Sequence, residues 1–476
     1  MTPFGDFLCL LPEIAVAATG CVLLLLIPTR LPRSFLKGLT AAGLIGSAVA
    51  TVFLWGKSRL LFDGTYALDA YALLFKGIFL LSVAFTLLIS ASFAKQNPLP
   101  EGEYGVLLLF SVLGMMVMAA GLDLLVIYLG LEVMAIASYC LVGFLKKDSL
   151  SMEGALKYFL LGAVNSGVLL YGIALLYGAT GTTNLTLLPQ RLASAAPGAL
   201  LPIAVVLLTV GFAFKLAAVP FHMWAPDVYE GAPTPIAGFV SVASKAAALS
   251  ALARLFLASL PSLKADWQPL LILLSALSMT VGNLLALPQT NLKRLLGYSS
   301  IAHAGYLLIG AACATPQGLF ALLYYLIAYL AMNLGAFGML VHLSRKGKPL
   351  LSIEDLRDLS ERSPFWSFCF LVFMLSLAGI PPTAGFLGKF YLFASALHAG
   401  LVPLAVIAVL NSVLALYYYF RIVRAMYLES VPKTAVANSF PWETTLALSL
   451  MALLTLGLGL YPAPLLHLIQ QASLMK

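Results

Sequence analysis

The feature that most constrains this chain is a near-continuous succession of apolar runs, bounded by charge, proline or glycine. Hydrocarbon offers a backbone no water to bond, so every amide must be satisfied within its own segment, and a helix needs roughly 20 apolar residues to cross a core about 30 Å thick. Spans are expected near 8–27, 36–55, 70–93, 104–120, 123–145, 154–178, 200–219, 234–258, 269–287, 294–313, 316–343, 364–398, 401–427 and 443–467. The fold class that follows is an all-α polytopic membrane protein of about fourteen transmembrane helices. With 61% hydrophobic and only 10% charged residues, against roughly a quarter charged in soluble domains, a water-soluble fold is excluded. The first six residues carry no Lys or Arg and no small-residue cleavage site follows, so the opening run reads as a retained helix rather than a secretory signal.

The net charge of +8 could suggest nucleic acid, but the basic residues lie in loops flanking the spans. Sixteen fall on one side (Arg30, Arg33, Lys37, Lys95, Lys146, Lys147, Lys293, Arg294, Arg345, Lys346, Lys348, Arg357, Arg362, Arg421, Arg424 and Lys433) and five on the other (Lys57, Arg59, Arg191, Lys264 and Lys476). This asymmetry is an orientation signal: the first set faces the cytoplasm and both termini lie outside. Ser352 to Asp355, inside the charged stretch 345–362, predicts a short interfacial helix with a capped start. The five cysteines show no CxxC pair or repeated spacing, which argues against an iron-sulfur cluster, zinc or disulfide framework.

Six basic residues remain inside the spans: Lys76, Lys157, Lys215, Lys245, Arg254 and Lys389. A charge at mid-membrane costs at least about 2.5–3.5 kcal/mol, so each needs a reason. Glu132 lies nine residues after Asp123, roughly 13.5 Å into the fifth span, where it cannot reach water. Lys215, about fifteen residues into the seventh span, and Lys245, about eleven into the eighth, are also deep. A buried lysine can gain and lose a proton as its neighbours change, and the competing reading for each of these groups is a static ion pair. Lys389 follows Ala378-Gly-Ile-Pro-Pro-Thr-Ala-Gly385, a break of the kind tolerated at membrane depth only where protein or water lines it. The prolines after Lys215 (Pro220, Pro226, Pro233, Pro235) can break the seventh helix in the same way. His303, mid-span in the tenth helix, suits either a proton shuttle or a satisfied core histidine. Glu153 and Lys157, spaced i, i+4, are read as an ion pair with a secondary role at a proton entrance, and His222, in a loop, is left open. Lys76 is placed near the outer boundary beside Asp69, and Arg254 near the outer end of its span, both snorkelling or paired.

The stretches Glu153–Gly162, Pro220–Pro235, Ser244–Ala248 and Leu377–Phe390 closely resemble the antiporter-like membrane subunits of bacterial NADH:quinone oxidoreductase, respiratory complex I, and among them the subunit N type. The resemblance implies two inverted five-helix repeats, each with one broken helix: N-terminal helices in 1–103, a first repeat in 104–258, a second in 259–427 and a final helix in 428–476. It places Glu132, Lys215, Lys245, His303 and Lys389 on a proton path through spans five, seven, eight, ten and twelve. No cofactor is expected in this subunit; flavin and iron-sulfur clusters belong to partner subunits, and quinone binds elsewhere in the complex. Subunits of the K and M types are the expected neighbours, within membrane lipid and without nucleic acid. The chain ends soon after its last span, without the long lateral helix of subunit L, and carries lysine where subunit M has glutamate. Cation/proton antiporter subunits and membrane-bound hydrogenase subunits share the central motifs and stay open as alternatives.

Overall fold

In the computed structural model, which describes residues 3–29, 31–97, 99–194, 198–344, 350–430, 441–472 and 474, helices stand at every expected span. Eleven are long and apolar enough to cross a membrane, and three shorter apolar helices, Leu11–Leu26, Leu200–Leu216 and Pro364–Ala378, stand where the first span and the first limbs of the two interrupted spans were expected. Polar residues start many of them. Asp69 accepts from Ala72 N at the head of the third span (Ala70–Gln96), Asp123 from Leu125 N at the fifth (Leu124–Val142), and Asp148 from Leu150 N at the sixth (Ser149–Thr180). Asn291 accepts from both Lys293 N and Arg294 N at the tenth (Leu292–Ala312). Each side chain satisfies amides that the helix itself leaves orphaned.

Burial sorts the helices into centre and rim. The eighth span (Thr234–Ser259) is buried along 100% of its most apolar stretch, the tenth along 94% and the eleventh (Pro316–Leu343) along 89%, against 39% for both the sixth and the thirteenth (Val402–Leu428). The polar residues on the central three therefore face protein, not lipid. Small residues let the backbones close up: a Cβ on Gly114 of the fourth span (Glu101–Ala120) would come within 2.4 Å of Met134 N, so the helix bearing Glu132 packs directly on its neighbour.

Some local features differ from expectation. An antiparallel hairpin, Arg59–Leu61 with Tyr66–Leu68, caps the loop before the third span. The expected interfacial helix is a single 3-10 turn, Ile353–Leu356, with the predicted Ser352/Asp355 capping box, followed by a helical turn Leu359–Arg362. Residues 345–349 of that stretch, and Lys433 and Lys476 of the orientation count, lie outside the described residues, as does Arg30.

Lys76 is paired, one of its two readings, and its partner is Glu13 of the first span rather than Asp69: the side chain is wholly buried, with Nζ 2.6 Å from Glu13 Oε1. The Tyr66 hydroxyl of the hairpin donates to the same carboxylate oxygen at 2.5 Å. Asp69 pairs instead with Arg254, whose guanidinium reaches both carboxylate oxygens at 2.8 and 2.9 Å and donates to Ala119 O at 2.6 Å.

Candidate functional site

Two interruptions organise the buried charges. The seventh span stops at Leu216, one residue after Lys215, with Ala217 in the left-handed region (φ 56°) and Ala218 N donating back to Ala213 O. It resumes as Ala225–Gly231. The twelfth stops at Ala378 with Gly379 left-handed (φ 87°) and Ile380 N donating to Leu375 O, then resumes as Ala384–His398. Both first limbs thus end in the same closure, which needs a left-handed residue after the last helical turn. Gly385 lets the second limb of the twelfth span restart against the first: a Cβ there would lie 1.9 Å from Ser376 O.

Lys389 stands one turn into that restart. Its Nζ donates to Leu377 O and Ala378 O at 3.0 Å each and to Ser412 Oγ at 3.1 Å. The ammonium therefore bonds the carbonyls that the break sets free. It also lies 4.7 Å from the centre of the Tyr306 ring.

Lys245 directly follows a π-helical turn, Val240–Ser244, in the eighth span, an irregularity often found at functional positions. Its Nζ donates to Ser300 O and Ser300 Oγ, both at 2.5 Å, and the Tyr329 hydroxyl donates to Ser300 Oγ at 2.9 Å. His303 lies between tyrosines, with Nδ1 2.5 Å from the Tyr325 hydroxyl and Nε2 3.1 Å from that of Tyr419, which also bonds Ser299. Two stripes meet here. Ser299/Ser300, His303 and Tyr306 recur every three or four residues on the tenth helix; Tyr325, Tyr329 and Asn333 recur every four on the eleventh, and Asn333 donates to Ser241 of the eighth at 2.6 Å. That spacing puts each set on one helical face.

Glu132 and Lys215 form a separate cluster. Ser166 of the sixth span donates to Glu132 Oε1. Lys215 Nζ donates to the hydroxyl of Tyr139, two turns after Glu132, at 3.3 Å. Tyr139 packs edge-on to Tyr158, which stacks at 4.4 Å on Trp224 in the turn between the limbs.

Among the described residues, none of Lys215, Lys245 and Lys389 is ion-paired, and all three are buried. Lys76 and Arg254 are buried and paired. The two residues of secondary interest lie apart: Glu153 pairs with Lys157 at 2.6 Å, where Lys157 also reaches Asp227 at 2.7 Å, and His222 is half-buried in the break loop with Nδ1 lacking a hydrogen-bond partner. Sequence reasoning missed the hydroxyl groups: Tyr139, Ser166, Ser300, Tyr325, Tyr329, Ser412 and Tyr419. A search for polar residues at helical spacing around His303 would have found Ser299, Ser300 and Tyr306.

Comparison with known proteins identifies the family. The family profile described as "NADH:quinone oxidoreductase/Mrp antiporter, TM" matches residues 121–415. The chain is 43% identical over 468 residues to the NADH-quinone oxidoreductase subunit N of Trichlorobacter lovleyi, covering 97% of this chain and 96% of that one. It is 41% identical over 464 residues to a subunit N of Rhizobium meliloti, covering 97% and 96%. Among solved structures, a chain of respiratory complex I from Thermus thermophilus with bound aureothin superposes with a TM-score of 0.82 at 36% identity, covering 96% of this chain and 98% of that one. A chain of the Mrp complex from Dietzia shares the fold, with a TM-score of 0.84 at 24% identity over 99% and 97%. The chain belongs to the NADH:quinone oxidoreductase/Mrp antiporter membrane family, and within it to the subunit N group, the antiporter-like membrane subunits of respiratory complex I.

Proposed function

We propose that the chain translocates protons, without redox chemistry of its own, as a subunit of a proton-translocating NADH:quinone oxidoreductase whose quinone reduction takes place in other subunits. The observation that carries this reading is the contrast among buried cations. A buried ammonium whose only role is structural needs a counter-charge, because desolvation otherwise favours its neutral form. Of the buried cations inside the spans, Lys76 and Arg254 have one, while Lys215, Lys245 and Lys389 have hydroxyls and carbonyls; Lys293, buried at the head of the tenth helix, bonds the carbonyls of Glu230 and Ala232 and lies outside that contrast. A lysine held by neutral acceptors can exist as ammonium or amine, which suits a carrier of protons.

In this reading a proton enters from the cytoplasm toward Lys245, passes Ser300 and His303 and leaves near Lys389, while Glu132 acts as a switch on Lys215. No ion pair joins the two among the described residues. When the carboxylate closes on the ammonium it favours protonated Lys215, and when it opens it favours release to the next group. The chain would cross the membrane fourteen times with both termini outside and inverted repeats over 104–258 and 259–427. Subunits of the K and M types would flank it, and flavin and iron-sulfur clusters would reside in partner subunits.

The test is Lys389→Arg. Arginine retains donors for Leu377 O and Ala378 O but does not deprotonate at usable pH. The complex should assemble, and NADH oxidation by an artificial acceptor should persist, while quinone-coupled proton release in vesicles falls. Lys389→Met should fall as far. Wild-type pumping by the arginine variant would show that Lys389 only caps the broken helix.

A further inference from the structure

The fourth span is the floor of a groove that opens toward the membrane. On one side it packs on the first span: a Cβ on Gly20 would lie 3.5 Å from the Phe110 ring, and one on Gly102 would lie 2.9 Å from Ile27. On the other it packs on the fifth, where a Cβ on Gly130 would lie 2.8 Å from Gly114 O. The first and fifth spans flank it and leave between them a cavity of about 390 Å³, at the end of all three helices where the basic loops gather. Its walls are Leu24 and Ile27 of the first span, Val106 and Leu107 of the fourth, Cys140 of the fifth and Phe144 just beyond it. Phe144 lies edge-on to Tyr104 with ring centres 5.4 Å apart, and the Tyr104 hydroxyl bonds Ser90 of the third span at 2.8 Å. That wall is held by the protein itself and needs no ligand to form.

Two opposite charges stand at the mouth. Glu103 and Lys146 are exposed and line the same cavity, and neither side chain has an ion pair or hydrogen bond among the described residues. The matching occupant is apolar along its length and carries a cation and an anion together at one end. A partner helix fits poorly: one turn, about 5.4 Å long and 10 Å across, already fills on the order of 400 Å³, so the cavity would seat a single turn at most. One acyl chain is narrower and can follow the groove. The charges then choose the headgroup. An ethanolamine phosphate offers Lys146 its phosphate and Glu103 an ammonium with N–H donors, whereas a choline nitrogen has no N–H to give and a glycerol headgroup brings no cation to the carboxylate.

We propose that this groove is a binding site for a zwitterionic phospholipid with a primary-amine headgroup, its acyl chain between the first and fifth spans, its phosphate on Lys146 and its ammonium on Glu103. Basic loops attract anionic lipid in general; Glu103 sets this site apart from that diffuse attraction. The lipid fills the gap between the first span and the helix that carries Glu132, and so acts as a packing element of this half of the chain.

The site stands whether or not the chain moves protons. To test it, the whole complex is reconstituted in vesicles that carry, in turn, phosphatidylethanolamine, phosphatidylcholine or phosphatidylglycerol with a photoactivatable diazirine on the acyl chain, and the adducts are mapped to peptides. The ethanolamine lipid should label the segments around Leu107 and Cys140 roughly threefold more than either of the others, the selectivity that one exposed charge pair supports. Glu103→Gln should erase the preference over the choline lipid, Glu103→Lys should move it to the glycerol lipid, and Lys146→Ala should lower labelling by all three. Cys140→Trp puts a large ring into the cavity and should remove labelling there. The charge variants change exposed side chains only, so they decide the headgroup question even if the tryptophan variant does not assemble. Equal labelling by the three lipids, or a wild-type preference for the glycerol lipid, would overturn the proposal. So would the absence of labelling at these segments in the wild type, the result expected if another subunit covers this face.

Discussion

Lys76→Met should destabilise the chain severely, and the structure supplies the size of the effect. Lys76 side-chain exposure is 0% and that of Glu13 is 8%, so neither charge is screened by water. Among the described residues, the ammonium supplies the only positive charge in contact with Glu13, whose Oε2 has no hydrogen-bond partner and whose Oε1 otherwise takes only the Tyr66 hydroxyl. Removing the lysine leaves a buried carboxylate with one neutral donor. Breaking a buried pair on one side costs about 3–5 kcal/mol, whereas replacing both members with apolar residues of similar volume is often neutral or stabilising. The double variant Glu13→Leu with Lys76→Met should therefore recover most of the loss. The assay is the yield of assembled complex from membranes and its retention after graded heating in mild detergent. Pumping per electron should be unchanged in whatever complex the double variant forms. Equal stability of the single and double variants would refute the ion-pair argument, and a double variant that assembles fully but does not pump would show that this pair belongs to the proton path.

Two further outcomes follow from the site. Ala217 holds a left-handed conformation at the closure where Gly379 stands in the twelfth span; Ala217→Gly relieves roughly 1–2 kcal/mol of backbone strain against an added chain entropy of about 0.5–1 kcal/mol, so a net gain of up to about 1.5 kcal/mol should appear as slower thermal loss of the complex, and any loss of stability would show that the αL strain is not felt. Ser166→Ala leaves Glu132 in place without its hydroxyl donor; a hydrogen bond to a charged group is worth about 1.5–3 kcal/mol, at its low end near a factor of ten, and coupled quinone reduction that stays at the wild-type rate would make that bond incidental.

The spans were legible because hydrocarbon demands long apolar runs, and the breaks because proline and glycine interrupt them where no loop is needed. Glu132, Lys215 and Lys245 were singled out by residue counts alone, since helix rise is fixed, and Lys389 by the break before it. Partners were not legible. Glu13 sits 63 residues from Lys76, and nothing at either position names the other; the hairpin that buries them came from two three-residue strands too short to announce themselves. The same blindness hid the tyrosines. On an apolar helix a tyrosine reads as packing, and only the facing helix shows that Tyr325 meets His303 and Tyr329 meets Ser300.

That difference in legibility tracks a difference in chemistry. Arg254 and Lys76 are placed as fixed charges: one is an arginine that cannot lose its proton, bonded to both oxygens of Asp69, and the other shares one carboxylate oxygen with a tyrosine. Lys76 ties the third span to the first, and Arg254 of the eighth ties the head of the third to the carbonyl of Ala119 on the fourth. The three unpaired lysines are arranged otherwise. Each ends on acceptors that can bond an ammonium, and each has a hydroxyl among its partners: Tyr139 for Lys215, Ser300 for Lys245 and Ser412 for Lys389. A hydroxyl both donates and accepts, so it can turn to stay bonded when the lysine becomes an amine, whereas a carboxylate would hold the lysine charged. Replacing Ser412 with aspartate should therefore turn Lys389 from the second kind of site into the first: the complex should assemble, and proton release should fall as it does for Lys389→Arg. Wild-type pumping with an aspartate at 412 would mean that the neutral surroundings of Lys389 have no bearing on its work.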